Sequence, residues 1–450
     1  MRRRDITRRE FLKQSAAAGA LAFSRLALGA EAAGGDRPPN VVLIISDDQG
    51  WGDYGFMGHP RIQTPNLDRL ANQGVTFTRG YVAAPLCCPS LASIITGLHP
   101  HQHKITCNDP PYQGDPRERW TKPWTPERRA QREEMMSYIE RVPTLPRLLS
   151  WRGYLSLQTG KWWAGSYSRG GFTHGMTHGD MSRGGRHGDV GLTIGRETMQ
   201  PIHDFLREAG DRPFFLWYAP MLPHEPHKPP ERLLAKYEGA TESVHIARYW
   251  AMCEWFDETC GQLLNHLEER GLAENTMVLY VCDNGWIQRP DAAGPAPRSK
   301  TSWYEGGTRT PVMVRWPGHA APRRDEQTLV SSVDLAPTIL AACGLRPTAE
   351  MQGLNLLDSA ALGAREAVFG ASYSHDANDV HNPDANLWSR WVIKGWWKLI
   401  VPHAGSGERA RAPELYDLQA DPHEDRNLAA ENPDKVGELR ELTDRWYRPR

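Results

Sequence analysis

Two short apolar segments, each followed by a pair of polar residues, constrain the fold of this chain most. Residues 39–50 read PNVVLIISDDQG, and residues 274–286 read ENTMVLYVCDNGW. A continuous apolar run of this length is typical of a strand that is buried on both faces. Strands of that kind occur mainly in parallel sheets covered by helices. The two segments therefore predict a parallel sheet in an α/β protein.

The segments between these two strands alternate between helix and strand patterns. Residues 212–220, RPFFLWYAP, predict a third buried strand. Residues 64–74 predict a helix with Pro65 in its first turn and Gly74 at its end, and residues 247–271 predict a long amphipathic helix. Alternation on this scale predicts a largely parallel central sheet flanked by helices.

The pattern changes after about residue 360. The remaining sequence predicts short strands and turns, and then a helix that begins near Pro433. We expect a small C-terminal antiparallel α+β subdomain there. Residues 168–191 and 286–300 have no apolar period and predict two long loops, which in compact domains are often functional.

Residues 1–33 form a predicted twin-arginine signal peptide. They contain the stretch TRREFLK, a weakly apolar run behind it and a small-x-small cleavage site at Ala30-Glu31-Ala32. Twin-arginine machinery exports folded proteins, so we expect it as a partner and the mature protein in the periplasm or secreted. No other stretch has the roughly 18 apolar residues of a membrane-spanning helix, so we expect no stable membrane insertion after cleavage.

Charge and cysteine content exclude two further classes of protein. The formal net charge is -1, which argues against a nucleic-acid binder. Seven cysteines, an odd number, do not form a disulfide framework. Cys253 and Cys260 share a predicted helix with Cα atoms roughly 10 Å apart, too far for a disulfide. We interpret these two, and also Cys282 and Cys343, as small buried apolar side chains.

Polar residues at the ends of the two strands predict a metal site. Asp47 and Asp48 follow the first strand, and Asp283 and Asn284 follow the second. Ligands bind beyond the carboxyl ends of strands in open parallel sheets. Three carboxylates and an amide that meet there would repel one another without a cation, and their hard oxygens suit calcium or magnesium.

A pair of cysteines precedes an apolar helical pattern in APLCCPSLASIITGLHP, residues 84–100. Pro89 is a favourable first helical residue, so Cys87 and Cys88 are expected just before the helix begins. The free amides and the dipole of a helix N-terminus favour an anion and lower the pKa of a thiol. A thiolate nucleophile and a pair of buried structural cysteines are both compatible with this pattern.

The segment LCCPSLASIITGLHP resembles the signature of the sulfatase family, which is part of the alkaline-phosphatase superfamily. PNVVLIISDDQGWGDYG resembles the opening strand and metal pair of that family, and TGKWWAG resembles its Gly-Lys-Trp-His element. The segments PFFLWYAPMLPHEP, ENTMVLYVCDNG, KTSWYEGGTRTPVMVRWPG, VDLAPTILAACG and ELYDLQADPHEDRNL resemble later blocks in the same order. The resemblance covers most of the mature chain.

The resemblance implies an alkaline-phosphatase-like fold and a role for each matching residue. Cys87 would be converted to formylglycine by a sulfatase-maturating enzyme. Lys161 and Lys300 would contact the sulfate oxygens, and His224 would protonate or stabilise the leaving oxygen. One divalent cation, calcium with magnesium as the alternative, would be held by Asp47, Asp48, Asp283 and Asn284.

Two positions depart from the family pattern. Leu91 stands where the family has an arginine near the modified residue, and Trp163 stands where it has a histidine. A rewired site in a divergent sulfatase, hydrolysis of a phosphate or phosphonate ester, and an inactive sulfated-glycan-binding protein are three explanations. For the first, we expect Arg169, Arg183 or Arg186 of the first long loop to replace the lost arginine, because guanidinium groups suit sulfate oxygens.

The expected function is hydrolysis of a sulfate ester on a sulfated small molecule or glycan. Tryptophan faces stack well on sugar rings, and several tryptophans flank the predicted site elements: Trp51, Trp162, Trp163, Trp286 and Trp303. This composition favours a carbohydrate sulfate over a small aryl sulfate. The expected organisation is a sulfatase catalytic domain over residues 37–360 and the C-terminal subdomain over 361–450.

Overall fold

The computed structural model describes residues 37–115, 118, 124–403 and 412–449. The predicted signal peptide at residues 1–33 lies outside the described residues. The residues from Pro39 onward belong to one compact unit. In the described part of the chain, no helix combines the length and the apolar character needed to cross a membrane.

Thirteen strands and twelve α-helices make up the described part of the chain. The strands are β1 (Asn40–Ser46), β2 (Val75–Tyr81), β3 (Leu155–Gly160), β4 (His174–Gly175), β5 (Phe214–Ala219), β6 (Thr276–Cys282), β7 (Arg309–Arg315), β8 (Arg323–Asp325), β9 (Val330–Ser331), β10 (Val368–Tyr373), β11 (Leu387–Lys394), β12 (Trp397–Pro402) and β13 (Glu414–Asp417). The helices are α1 (Pro65–Gln73), α2 (Cys87–Thr96), α3 (Pro100–His103), α4 (Pro126–Ser137), α5 (Leu145–Ser150), α6 (Gln200–Ala209), α7 (Glu231–Tyr237), α8 (Val244–Glu269), α9 (Glu305–Thr308), α10 (Leu335–Ala342), α11 (Ser359–Gly363) and α12 (Pro433–Trp446).

The central sheet has nine strands in the order β4-β3-β5-β1-β6-β7-β2-β8, with β9 also paired to β2. β1 pairs in parallel with β5 and β6, and only β7 runs antiparallel to its neighbours. The prediction of a largely parallel central sheet is therefore confirmed. The strand order places β1 and β6 side by side, although about 230 residues separate them in sequence.

Alternating residues of β1 enter two separate apolar cores. Val41, Leu43 and Ile45 pack in the core that contains α2 and α10. Val42 and Ile44 pack in the core that contains α1, α6 and α8. Because side chains alternate across a strand, an uninterrupted apolar run is what a sheet with helices on both faces requires.

The helix after the cysteine pair begins earlier than the sequence indicates. α2 starts at Cys87, two residues before Pro89, and Leu86 is its extended N-cap residue. The N–H of Ser90 donates to the carbonyl of Leu86 at 3.0 Å and closes the first turn. Pro89 is tolerated because the first four N–H groups of a helix have no partner within the helix. The prediction that Cys87 and Cys88 precede the helix is wrong, since both lie in its first turn.

The C-terminal sheet is antiparallel, in the order β10-β11-β12-β13, and α12 packs on one of its faces. The small C-terminal antiparallel part is therefore confirmed. Boundaries at residues 37–360 and 361–450 stay a prediction. All seven cysteines are free and buried, as expected for Cys253, Cys260, Cys282 and Cys343.

Candidate active site

The carboxyl ends of β1 and β6 bring the four predicted metal ligands together. Ser46 is in register with Cys282, so Asp47 and Asp283 leave the sheet side by side. The backbone N–H of Asp48 donates to Asp283 Oδ1 at 3.3 Å, and Asn284 Nδ2 donates to Asp48 Oδ1 at 2.7 Å. Parallel strands that are adjacent in the sheet thus join two pairs of residues that are distant in sequence.

The turn after β1 orients Asp48. Its φ angle is 62°, in the left-handed region that aspartate tolerates better than most residues. The N–H of Asp47 donates to the carbonyl of Leu222 at 2.9 Å, which ties this turn to the segment after β5. Both carboxylates are buried, and they point into the same space at the edge of the sheet.

Two lysines lie against these carboxylates. Lys161 follows β3, and its Nζ is 2.5 Å from Asp47 Oδ2 and 3.3 Å from Asp283 Oδ2. Lys300 comes from the second long loop, and its Nζ is 2.7 Å from Asp48 Oδ2. Burial alone would lower the pKa of each lysine, but the neighbouring carboxylates raise it above its usual range, so both carry a positive charge.

His224 lies beside Lys300 and Asp48. Its Nε2 is 3.3 Å from Lys300 Nζ and 3.4 Å from Asp48 Oδ2. Its Nδ1 lies 2.5 Å from the carbonyl oxygen of Glu225, which assigns the proton of the neutral ring to Nδ1. Burial lowers the pKa of His224 and favours this neutral form. Nε2 is then free to accept a hydrogen bond.

Cys87 completes the cluster from the first turn of α2. Its Sγ is 3.6 Å from Asn284 Oδ1. Ligand atoms of Asp47, Asp48, Cys87 and His224 all lie within 4.8 Å of one another. The structure therefore brings together every residue that the sequence analysis placed in the site.

The donor set suits a divalent cation. Asp47 Oδ1 is buried and makes no hydrogen bond. Burial, and then the charge of Asp47, raises the pKa of Asp283 well above its usual range. With all three carboxylates ionised, the two ammonium groups leave one net negative charge, so a divalent cation would favour the ionised form of Asp283. Carboxylate and amide oxygens are ligands that calcium and magnesium accept.

A small cavity lies on the other side of Cys87. Its lining residues are Cys87, Cys88, Asn108, Lys161, Trp163, Arg186 and His187. Arg186 is the member of the three candidate loop arginines that lies here. Its Nε donates to Asp109 Oδ1 at 2.7 Å, and a second guanidinium nitrogen contacts Asp109 Oδ2.

The other two arginines point elsewhere. Arg169 pairs with Glu133 and Glu140 in α4 and the turn after it, and Arg183 is exposed. Of the three arginines, only Arg186 is therefore positioned to replace the missing family arginine.

Asn108 and Asp109 are site residues that sequence reasoning missed. The side-chain oxygen of Asn108 accepts from the backbone N–H of Cys88 at 2.9 Å, so it caps the start of α2. Asp109 orients Arg186. The only sequence signal is the turn-forming Asn-Asp-Pro-Pro stretch that contains both residues, and nothing in it points to Cys88 or Arg186.

The two positions that depart from the expected pattern are both buried in the core. Leu91 is fully buried among the apolar residues under α2. The ring centroids of Trp162 and Trp163 lie 4.6 Å apart, and both rings are buried. Trp286 and Trp303 are buried as well, while Trp51 is half-buried at the wall of a cleft of about 710 Å³. Four of these five tryptophans are therefore buried in packed surroundings, and Trp51 is the most exposed of the five.

Comparisons with known proteins agree with this architecture. A family model described as sulfatase matches residues 39–345, and one described as the C-terminal part of N-sulphoglucosamine sulphohydrolase matches residues 299–445. N-acetylgalactosamine-6-sulfatase from Homo sapiens is 31% identical over 373 residues, which cover 73% of this chain and 67% of that protein. Arylsulfatase A from Homo sapiens is 30% identical over 473 aligned positions, which cover 90% of this chain and 87% of that protein.

A solved structure shares the fold. It is a protein in complex with its substrate D-glucosamine-2-N,6-O-disulfate, and it superposes with a TM-score of 0.71 at 21% identity. The superposition covers 91% of this chain and 97% of that one.

Proposed function

We propose that this chain, which belongs to the sulfatase family and is a sulfuric ester hydrolase, removes sulfate from a carbohydrate by means of Cys87. One observation supports the proposal most directly. Cys87, three carboxylates, Asn284, two charged lysines and a neutral histidine converge at one buried point, where the charge suits a cation and an anionic ester together. The relatives named for N-acetylgalactosamine and glucosamine sulfates support a carbohydrate substrate.

Cys87 is proposed to act as formylglycine, and a divalent cation, calcium with magnesium as the alternative, to bind at Asp47, Asp48, Asp283 and Asn284. Formylglycine supplies a hydroxyl nucleophile when hydrated, and the cation supplies positive charge that lowers the pKa of that hydroxyl. The N-terminus of α2 adds the partial positive charge of its free amides at the same place.

The other side chains act on the substrate. Lys161 and Lys300 bind the sulfate oxygens and offset the negative charge that grows on them in the transition state. Their ammonium groups are held in place by Asp47, Asp48 and Asp283, so little reorganisation is needed. His224 is proposed to act at the leaving oxygen. Because Nδ1 holds the proton of the neutral ring, Nε2 donates to that oxygen only when the ring is protonated.

Export and maturation belong to the same proposal. The twin-arginine stretch within residues 1–33 supports transport of the folded chain to the periplasm or beyond. A sulfatase-maturating enzyme is the partner that a formylglycine at position 87 requires.

The decisive experiment measures sulfate release by protein purified from its own host. The substrates are 6-sulfated N-acetylgalactosamine, 6-sulfated glucosamine and an aryl sulfate, with the matching phosphate esters as controls. We expect release from a sugar sulfate, little from the phosphate esters, and none from Cys87→Ala. No release from any sulfate ester by protein whose Cys87 is modified would contradict the proposal.

A mass measurement tests the modification separately. Conversion replaces the thiol-bearing CH₂–SH group with an aldehyde, so the peptide that contains residue 87 becomes lighter than the unmodified peptide. An unmodified peptide from fully active protein would contradict the role of formylglycine and leave the hydrolase activity in place.

A further inference from the structure

One buried cysteine joins the two turns that carry the proposed cation ligands. Cys282 is the last residue of β6, directly before Asp283, and its side chain is fully buried. The backbone N–H of Gln49 donates to Cys282 Sγ at 3.3 Å, and the thiol donates to the carbonyl of Asn284 at 3.0 Å. A thiol can donate and accept at once, so one sulfur atom connects the turn after β1 with the turn after β6.

Apolar packing does not account for these contacts. Cys253, Cys260 and Cys343 each lie in an apolar cluster. Within the described part of the chain, Cys282 belongs to none of the apolar clusters. The sequence analysis interpreted all four as small buried apolar side chains. For Cys282, that interpretation explains the burial and leaves the two hydrogen bonds unexplained.

The two hydrogen bonds hold peptide groups that adjoin ligand residues. The N–H of Gln49 belongs to the peptide group after Asp48, and the carbonyl of Asn284 belongs to the peptide group after Asn284. A peptide group is planar, so its orientation fixes the ψ angle of the residue before it. The thiol therefore restrains the backbone of Asp48, whose φ angle is 62°, and that of Asn284. The side chains of these two residues are themselves joined at 2.7 Å.

The sheet holds Cys282 in place from both sides. Its N–H donates to Thr310 Oγ1 of β7 at 3.0 Å. On the other side, Cys282 is in register with Ser46 of β1, and the N–H of Asp283 donates to the carbonyl of Ser46 at 3.0 Å. Because its backbone is fixed between two strands, the thiol can keep both turns at a constant separation.

A cation site that is divided between two turns depends on that separation. Calcium takes oxygen ligands at about 2.3–2.6 Å, so a small rotation of either turn would move a ligand out of range. Groups that orient metal ligands without touching the metal contribute strongly to affinity. The thiol of Cys282 occupies such a position, because it contacts the backbone of both turns.

We propose that Cys282 is a positioning residue for the cation site. Its thiol holds the turn of Asp47 and Asp48 against the turn of Asp283 and Asn284, so that the ligands are in place before the cation binds. This inference rests on the cation site of the proposed function. The thiol keeps its proton, does not bind the cation, and takes part in no covalent or redox step.

The test measures calcium binding to chelator-treated protein by calorimetry and compares Cys282→Ala with Cys260→Ala. Both variants lose a fully buried thiol, but Cys260 lies in an apolar core within α8. We expect the Kd for calcium to rise about 10–100-fold in Cys282→Ala and to stay close to the wild-type value in Cys260→Ala. Cys282→Ser should recover much of the affinity, because a hydroxyl also donates and accepts.

Thermal unfolding separates positioning from packing. If Cys282 only filled space, Cys282→Ala would lower the Tm by the same amount with and without calcium. We expect a larger decrease with calcium present, because weaker binding gives the folded state less stabilisation at the same calcium concentration. Cys260→Ala should lower the Tm equally under both conditions.

The outcomes separate this inference from the proposed function. Wild-type calcium affinity in Cys282→Ala would overturn the inference and leave the proposed hydrolysis in place. Weaker binding in Cys282→Ala, with no sulfate release by wild type whose Cys87 is modified, would support the inference and contradict the proposed hydrolysis. A wild type that binds neither calcium nor magnesium would overturn both the cation site and the role of Cys282.

A second variant covers the case in which Cys282→Ala does not fold. Cys282→Val then decides, because valine fills the space of the thiol and can make neither hydrogen bond. Reduced calcium affinity in this variant would support the inference, and unchanged affinity would overturn it.

Discussion

Lys300 places its Nζ 2.7 Å from Asp48 Oδ2 and 3.3 Å from His224 Nε2. One ammonium group therefore connects the end of β1 with the segment after β5, and it comes from a loop that belongs to neither. Asp48 keeps the pKa of this lysine raised against the effect of burial. The link makes Lys300 the residue whose removal tests the charge arrangement most directly.

We predict that Lys300→Ala lowers turnover of a sulfate ester about a hundredfold, because one charged contact to the transition state is lost. The variant should remain folded, since Lys300 lies in a loop and not in an apolar core. Lys228→Ala is the matched control, because Lys228 is exposed and lines the neighbouring cleft next to His224. Wild-type turnover in Lys300→Ala would remove this lysine from the mechanism.

His224→Ala should lower turnover by an amount that depends on the leaving group. A poor leaving group, such as a sugar hydroxyl, needs a proton more than a phenol does, so the loss should be larger for the sugar sulfate. The measurement is kcat for both substrates in wild type and variant. An equal loss for both substrates would contradict a role for His224 at the leaving oxygen.

Removal of divalent cations should lower the Tm, and calcium or magnesium should restore it. A cation that binds only the folded state adds about 2.7 kcal/mol of stability at a hundredfold excess over Kd. Asp283→Asn should lose most of this response, while Asp291→Asn, at an exposed loop position, should keep it. An unchanged Tm of chelator-treated wild type on addition of either cation would show that the cluster holds none.

Leu91→Arg combined with Trp163→His should be less active than the wild type. Leu91 is fully buried among apolar side chains, so an unpaired guanidinium there costs about 3–5 kcal/mol. Arg186→Ala should lower sulfate release, whereas Arg169→Ala and Arg183→Ala should leave it close to wild type. The assay is sulfate release together with Tm for all four variants. A gain in the double variant, or no loss in Arg186→Ala, would contradict the replacement of the missing arginine by Arg186.

The free energy of unfolding should decrease as the pH rises from about 4 to about 6, because Asp257 loses a proton in this range. Its carboxylate accepts from the N–H groups of Asn66 and Leu67 at the start of α1, and burial raises its pKa to about 6. Because the folded state holds the proton more tightly than the unfolded state, the free energy of unfolding decreases through this window by about 3 kcal/mol in all.

The comparison variant for that prediction is Asp257→Asn, which does not titrate. Between pH 4 and 6, the Tm of the wild type should fall relative to the Tm of Asp257→Asn. Above about pH 6, the difference between the two Tm values should stay constant. Asp211→Asn, at an exposed position, should show no such change. A constant difference across the range would mean that the pKa of Asp257 is not raised.

Much of the fold could be predicted because its signals are local. The helix α1 runs from Pro65 to Gln73 and ends at Gly74, as its capping residues indicate. The buried strands β1, β5 and β6 match their apolar runs within two residues. The start of α2 was misplaced because proline is favourable at more than one position of a first helical turn, and the extended Leu86 is not visible in the pattern.

Local sequence signals likewise predict some residues of the candidate site and not others. Residues at the ends of buried strands, such as Asp47 and Asp283, could be expected to meet, because adjacent parallel strands end at one edge of the sheet. Lys300 and His224 come from loops, and only the resemblance to a family placed them there.

The order of amino acids was enough to predict the α/β class, the strands whose ends carry the carboxylates, and the family to which the chain belongs. These features can be predicted from short segments, because periodicity and helix capping depend on residues that are only a few positions apart in the sequence. The packing of the folded chain was needed to show that Arg186 and Cys87 line one cavity while Arg169 pairs with α4, and that Asp109 holds Arg186. Such contacts join loops whose relative positions follow from the packing of the whole sheet. Local sequence patterns therefore do not predict them.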